Sequence, residues 1–179
     1  VSQFNACLWK PACAKPSTAP SGYCPLGQAM SHVSMKSPLG PLTLFADADA
    51  LIAVEWGGAP DPAPTPLLRE AALQLEAYFR GRLTSFELPL RLSGSPFQRA
   101  VWALMGDIAY GSTRTYGDLA RELDSAPRAV GGACGRNPVP IIVPCHRVLG
   151  AGGRMTGYSG GAGVETKQAL LRLEGVNLL

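Results

Sequence analysis

Residues 138–148 read Pro138-Val-Pro-Ile-Ile-Val-Pro-Cys-His-Arg-Val148, three prolines around a short apolar run that ends on Cys145, His146 and Arg147. Proline fixes its own φ and pushes the residue before it toward extended backbone. The pattern therefore predicts that Val139 to Val143 form a short, buried, extended segment holding Cys145 at its end. A thiol attacks as thiolate, and a nearby proton acceptor or cation lowers its pKa. His146 and Arg147 put one of each beside the sulfur in sequence. Adjacent side chains of an extended backbone point to opposite faces, so a Cys145–His146 relay needs a turn or a bridging water. Taken alone, the pair also suits an inert buried cysteine.

Upstream lies Arg128-Ala-Val-Gly-Gly-Ala-Cys-Gly-Arg136, in which small residues dominate, Ala129, Gly132 and Cys134 among them. Glycine weakens a helix interior by about 1 kcal/mol relative to alanine, but small residues let a backbone approach a partner closely. That partner is either another helix or the narrow groove of a duplex, where bases are poorly discriminated. Before this helix stands a short turn, Asp124-Ser-Ala-Pro127, and before that a helix capped by Thr115 and running through Leu123. The sequence of helix, tight turn and helix is a helix-turn-helix pattern. Ser95-Pro96 predicts an N-cap with proline at the first helical position, opening a helix to about Met105.

The first half reads differently. Val33–Lys36, Leu42–Ala46 and Leu51–Trp56 are β-rich runs separated by turn residues, which predicts an antiparallel meander. A proline-rich linker from Ala59 to Pro66 leads to a helix whose apolar residues Leu68, Ala71, Ala72, Leu75, Tyr78 and Phe79 recur at helical spacing until Gly81. Its aromatics read as core. Leu88-Pro-Leu-Arg-Leu92 is a further extended piece. Residues 1–31 show no periodicity and read as an irregular tail.

No apolar run approaches the ~20 residues needed to cross a bilayer, and Val1 to Leu26 lacks the continuous apolar core of a signal peptide. Up to Leu90 there are six Lys/Arg against seven Asp/Glu; from Arg91 onward there are ten against six. The cysteine motif thus sits in the basic half, which fits a phosphate-facing surface as well as a solvated face. Five cysteines without a disulfide framework point to a reducing compartment, cytoplasm or nucleus, and not to secretion. Cys7, Cys13, Cys24 and His32 lack the paired spacing of structural zinc sites, so no metal is expected.

The run Arg128 to Val148 closely resembles the O6-alkylguanine-DNA alkyltransferases, the methylated-DNA–protein-cysteine methyltransferases. Ser95-Pro-Phe-Gln-Arg-Ala-Val-Trp102 resembles the entry to that family's active-site domain, and the likeness extends from about Ser34 to Gly175. It implies an α/β (more narrowly α+β) fold: an antiparallel sheet with a helix, then a winged-helix-like helix-turn-helix half. The expected divisions are 1–31 as tail, 32–92 as the N-terminal α/β domain and 93–179 as the DNA-binding and catalytic domain.

The resemblance further implies that a monomer binds double-stranded DNA through the minor groove and flips O6-alkylguanine out of the stack. O4-alkylthymine is a further candidate substrate. The alkyl group then passes irreversibly to Cys145, once per molecule and without a cofactor. His146 takes the thiol proton through water, Glu174 (in Leu170-Leu-Arg-Leu-Glu174-Gly175) orients the imidazole, and Asn137 fixes the segment. Arg128 fills the gap left by the flipped base, Tyr116 presses on the 3′ phosphate side, and Ala129, Gly132 and Cys134 belong to the helix and pocket that receive the DNA. Tyr158 forms pocket wall, the Ser159 N–H faces O6, the Cys145 and Val148 carbonyls accept from the exocyclic amine, and Lys167 lies near the thiol.

Three departures from the family pattern stand out. The turn from Asp124 to Pro127 is about two residues short, Cys134-Gly-Arg136 replaces Met-Arg-Gly, and the stretch from Gly161 to Lys167 is about two residues long. Two rivals are a DNA-binding protein that recognises alkylguanine without repairing it and a cysteine hydrolase. The first would replace the nucleophile, which is present; the second would leave the helix-turn-helix idle.

Overall fold

The computed structural model describes residues 30–60 and 62–177; Cys7, Cys13 and Cys24, and with them nearly all of the tail, lie outside that range. Three strands, β1 (Ser31–Met35), β2 (Leu42–Asp47) and β3 (Ala50–Trp56), form an antiparallel sheet in the order β1-β2-β3. This is the expected meander, with β1 beginning at Ser31, inside the stretch read as tail. Every residue from Leu42 to Ala46 is buried, so the central strand is covered on both faces. His32, one of the weighed zinc ligands, stacks on Phe45 and lies 2.8 Å through Nε2 from the Pro60 carbonyl.

Helix α1 (Pro66–Phe79) packs on this sheet through Leu68, Ala71, Leu75 and Tyr78. Thr65 caps its start by accepting from the Leu68 amide, with Pro66 in the first turn, where its missing N–H costs nothing. Its end needs a left-handed residue, and Gly81 supplies it at φ +67°, while the Arg82 amide reaches back to the Ala77 carbonyl at 2.9 Å. The outer edge of β3 is occupied rather than open: Leu51 exchanges backbone hydrogen bonds with Pro89 and Arg91, and the Val54 amide donates to the Pro138 carbonyl at 2.9 Å. That last bond ties the sheet directly to the cysteine segment.

The second half is helical. Ser95 and Gln98 form a reciprocal capping box at the start of α2 (Pro96–Gly106). Thr115 and Asp118 do the same for α3 (Tyr116–Glu122). The short turn closes because Asp124 adopts φ +45°, and the Ser125 amide bonds the Ala120 carbonyl at 2.9 Å; Pro127 then starts α4 (Pro127–Cys134) at once. Trp102 anchors α2 to α4 by donating its indole N–H to the Ala133 carbonyl at 2.9 Å. A two-residue parallel pairing of β4 (Arg114–Thr115) with β5 (Val148–Leu149) joins the entry of α3 to the cysteine segment. Helix α5 (Val164–Leu173) closes the described fold. No helix among the described residues is long and apolar enough to cross a membrane.

The segment Val139–Val143 departs from expectation. It is buried at Val139, Ile141 and Val143, but it is a tight turn and not extended. Ile141 sits at φ +76°, and the Val143 amide bonds the Val139 carbonyl at 2.9 Å. Proline constrains itself and the residue before it, which leaves Ile141 and Ile142 free to turn. Asn137 drives the turn: its Oδ1 accepts from the Val139 amide at 3.1 Å and its Nδ2 donates to the Val143 carbonyl at 2.7 Å.

Candidate active site

Pro144 adopts φ −85° and ψ 69°, an inverse γ-turn, and the Cys145 amide bonds the Val143 carbonyl at 2.9 Å. One turn of 3-10 helix follows, from Cys145 to Arg147. This turn decides the site, because it sends the first of three consecutive side chains away from the other two. Cys145 faces a cavity; His146 and Arg147 both reach Glu174.

Glu174 follows the last turn of α5 and is buried. Its carboxylate accepts from His146 Nε2 at 2.8 Å, from Arg147 Nε at 2.8 Å and Nη2 at 2.9 Å, and from the Tyr78 hydroxyl at 2.7 Å. The Gly111 amide adds a longer contact at 3.3 Å. Burial alone would raise its pKa, but the hydrogen bonds from His146, Arg147 and Tyr78 outweigh that and hold it at about 2. Glu174 is thus a fixed negative charge. Tyr78, on α1, was read as core packing; its ring is core, and its hydroxyl completes this hub.

An ionised carboxylate only accepts hydrogen bonds, so His146 carries its proton on Nε2. Its Nδ1 is left as an acceptor, buried and without a partner among the described residues. Full burial lowers the His146 pKa against the pull of Glu174, which makes the imidazole neutral at rest. The contact with Glu174 is then a hydrogen bond that sets the tautomer, not an ion pair.

Burial pushes the Cys145 thiol up, opposed by a hydrogen bond from Asn137 and by the charge of Lys167. Arg147, expected beside the sulfur, is turned to Glu174 and to the Ile108 carbonyl (Nη1, 2.6 Å). The cation near the thiol is Lys167 instead. It is fully buried, donates to the Val148 carbonyl at 2.6 Å and the Thr156 carbonyl at 3.2 Å, and lies 5.7 Å from the Tyr116 ring centroid. The buried Val148 carbonyl therefore already has one donor.

Two adjoining hollows meet at Gly135, Gly157, Tyr158 and Ser159. The inner one, about 310 Å³, is lined by Cys145, Cys134, Asn137, Pro140 and Tyr158, and by Trp56 from β3. The outer one, about 680 Å³, is lined by Tyr116, Arg128, Gly131, Thr156, Tyr158 and Ser159 among others. Tyr116 holds its rim by donating to the Thr156 and Gly157 carbonyls, both at 3.2 Å. Burial and the nearby Cys134 and Cys145 push its hydroxyl up to about 12, so it stays a donor. Cys134 has its thiol 3.4 Å from the Met105 sulfur, and burial with the neighbouring Cys145 raises its pKa to about 12.

The structure thus brings Cys145, Cys134, Asn137, Tyr158 and Ser159 to one cavity, with His146, Glu174 and Lys167 behind it. Arg128 is exposed and lines only the outer hollow. Ala129 and Gly132 lie on the exposed face of α4 and line neither hollow. Trp56 was missed as a site residue. No signal in the sequence marks it, because the contact between its strand and the Pro138 segment exists only in the fold.

Comparison with known proteins places this geometry. Residues 30–92 match the family model described as 6-O-methylguanine DNA methyltransferase, ribonuclease-like domain, and residues 96–176 match that of the same family's DNA binding domain. A methylated-DNA–protein-cysteine methyltransferase of Methanosarcina acetivorans is 44% identical over 156 residues, covering 82% of this chain and 99% of that protein. One from Mycobacterium tuberculosis is 44% identical over 155 residues, covering 79% and 90%. Among solved structures, Mycobacterium tuberculosis OGT in complex with DNA superposes with a TM-score of 0.73 at 44% identity, over 80% of this chain and 92% of that one. An O6-methylguanine DNA methyltransferase from Methanococcus jannaschii gives 0.61 at 27% identity, over 82% and 95%.

Proposed function

This chain belongs to the 6-O-methylguanine DNA methyltransferase family, and from that membership we propose that it repairs DNA by moving the O6-alkyl group of a flipped guanine onto Cys145. The observation that carries the reading is the Cys145 thiol in a cavity, with His146 locked behind it by Glu174.

Displacement at an alkyl carbon needs a strong, soft nucleophile, and the thiolate is one. At rest the site holds a neutral thiol beside a neutral imidazole. The thiol proton passes through a water to His146 Nδ1, and Glu174 stabilises the imidazolium that forms, in the manner of a nucleophile–base–orienter triad. The sulfur–carbon bond forms as the carbon–O6 bond breaks, with its electron pair going to guanine. The ring regains one proton, which balances the one lost by the thiol. The Ser159 N–H faces O6 in this arrangement, and Tyr158 walls the base. The Cys145 and Val148 carbonyls receive the exocyclic amine, Val148 through the lone pair that Lys167 leaves free.

The product is a thioether, which ordinary thiol exchange does not cleave, so each molecule acts once. O4-alkylthymine presents the same alkyl–oxygen bond and is a second substrate. Flipping places the base in the outer hollow with its O6 toward Cys145. The exposed face of α4, with Ala129 and Gly132, approaches the minor groove, Arg128 takes the place of the missing base, and Tyr116 presses on the 3′ phosphate side. The 32–92 part buttresses the site, the 93–179 part binds DNA, and the protein works as a monomer with no cofactor.

The test is intact mass and peptide mapping after mixing with duplex DNA carrying one O6-methylguanine. One methyl per molecule, on Cys145, supports the reading. Lesion-selective binding without transfer would leave a recognition protein, and methylation of Cys134 would move the nucleophile.

A further inference from the structure

The inner cavity has a wall that comes from the other half of the chain. Trp56 ends β3, lines the cavity together with Cys145, and lies against the loop that carries Tyr158. The fit is close enough to require glycine. A Cβ built on Gly160 would lie 2.6 Å from Trp56 Nε1 and 2.9 Å from a Tyr158 ring carbon, and one on Gly161 would lie 3.3 Å from the indole. Gly160 is therefore pressed between the indole and the tyrosine ring. Neither ring is fastened by a side-chain hydrogen bond: Trp56 Nε1 and the Tyr158 hydroxyl are both buried without a partner among the described residues. The loop backbone is tied at the Gly157 and Gly160 carbonyls, but the two rings meet each other through packing, so the indole sets where the tyrosine ring stands. At about 310 Å³, the cavity also exceeds what a methyl group needs, since one water's share of the liquid is about 30 Å³.

We propose that Trp56 is a specificity-determining residue for the alkyl group: its indole backs the Tyr158–Gly160 wall and sets how large a substituent can stand beside Cys145. This rests on the alkyl-transfer reading above. It assigns the range of alkyl groups to the N-terminal sheet, whose other evident duty is to support α1 and the Pro138 segment. A groove residue that only stabilised the fold would slow every substrate alike. A wall residue changes the ratio between large and small substrates.

The experiment compares single-turnover transfer from duplex DNA containing O6-methylguanine or O6-benzylguanine, for wild type, W56A, W56F, G160A and the W56A/G160A pair. Removing the indole is expected to raise the benzyl-to-methyl rate ratio by at least about tenfold, the lower end of what one methylene is worth in an apolar pocket. G160A is expected to lower the ratio, since its new Cβ meets the indole. The double variant returns toward wild type, because the clash needs both partners. W56F keeps an aromatic ring and secures a folded variant with a smaller rise. Equal slowing of both substrates in W56F and G160A, with the ratio unmoved, would overturn the assignment while leaving alkyl transfer standing. Absence of transfer from both substrates in the wild type would overturn the alkyl-transfer reading and this assignment with it.

Discussion

Arg147 and Glu174 form a buried two-point pair, Nε to Oε2 at 2.8 Å and Nη2 to Oε1 at 2.9 Å. Two charges taken out of water recover their desolvation only through such geometry, and removing one partner strands the other. Arg147→Ala is expected to cost about 3–5 kcal/mol, read as a lower denaturant midpoint with an unchanged slope. Arg147→Lys keeps the charge but not the fork, and its loss is smaller. A loss below about 1 kcal/mol, the range of exposed pairs, would mean the pair is solvated.

His146→Ala tests the relay. General-base catalysis typically contributes about 10²–10⁴-fold, and the single-turnover rate should fall within that range while affinity for lesion-bearing duplex stays put. The pH dependence separates this from misfolding. Without the imidazole, transfer depends on ionisation of a thiol that burial has pushed up, so the remaining rate should climb continuously into the alkaline range. A rate that is low and flat with pH would assign His146 a structural role.

Acid should unfold the protein through the same hub. Glu174 is held at about 2 against an ordinary 4.5; a depressed carboxyl stabilises the fold above its unfolded pKa and loses that contribution as pH falls through the folded one. The window is therefore from about pH 4.5 down to about 2, and the linked loss is about 3 kcal/mol. His146, lowered by burial, acts with the same sign: the unfolded chain takes up its proton first, so stability begins to fall below the ordinary histidine range. Thermal melting between pH 7 and 3 should drop in two stages. In Glu174→Gln the lower stage should disappear.

Arg128 is expected to matter only when DNA is present, because it is exposed on α4 and lines the outer hollow alone. Arg128→Ala should slow transfer from duplex by about tenfold, one flipped-base cost of a few kcal/mol being only partly met by other contacts. Reaction with free O6-benzylguanine base should not change. Equal slowing of both reactions would place Arg128 in the chemistry rather than in holding the duplex open.

Much of this site was legible in order along the chain. The caps at Ser95 and Thr115 are local hydrogen bonds between a side chain and an amide three residues on, so their spacing alone announces them. The meander, the helix-turn-helix and the motif ending in Cys145 were readable for the same reason. The shortened turn was visible as a missing length, but not its remedy, the left-handed Asp124.

Other features resisted reading because they depend on contacts between distant residues. The three prolines suggested an extended arm, whereas Asn137 bonding both ends of Val139–Val143 folds it into a turn. Arg147 lies two residues from the sulfur in sequence, yet its charge goes to Glu174, twenty-seven residues on. Tyr78 carried a helix-core pattern, and nothing in that pattern distinguishes a ring that only packs from one whose hydroxyl reaches a carboxylate.

By itself, then, the sequence determined the meander, most of the helices, the caps at Ser95 and Thr115, the candidate cysteine and the family, because these are written in local spacing and in a contiguous motif. Tertiary structure alone decided which nitrogen of His146 is free, which cation faces the thiol, and that Trp56 and Tyr78 of the N-terminal half belong to the site. Those outcomes are set by burial and by hydrogen bonds across the interface between the two halves, where the direction of a side chain depends on packing and not on its neighbours in the chain.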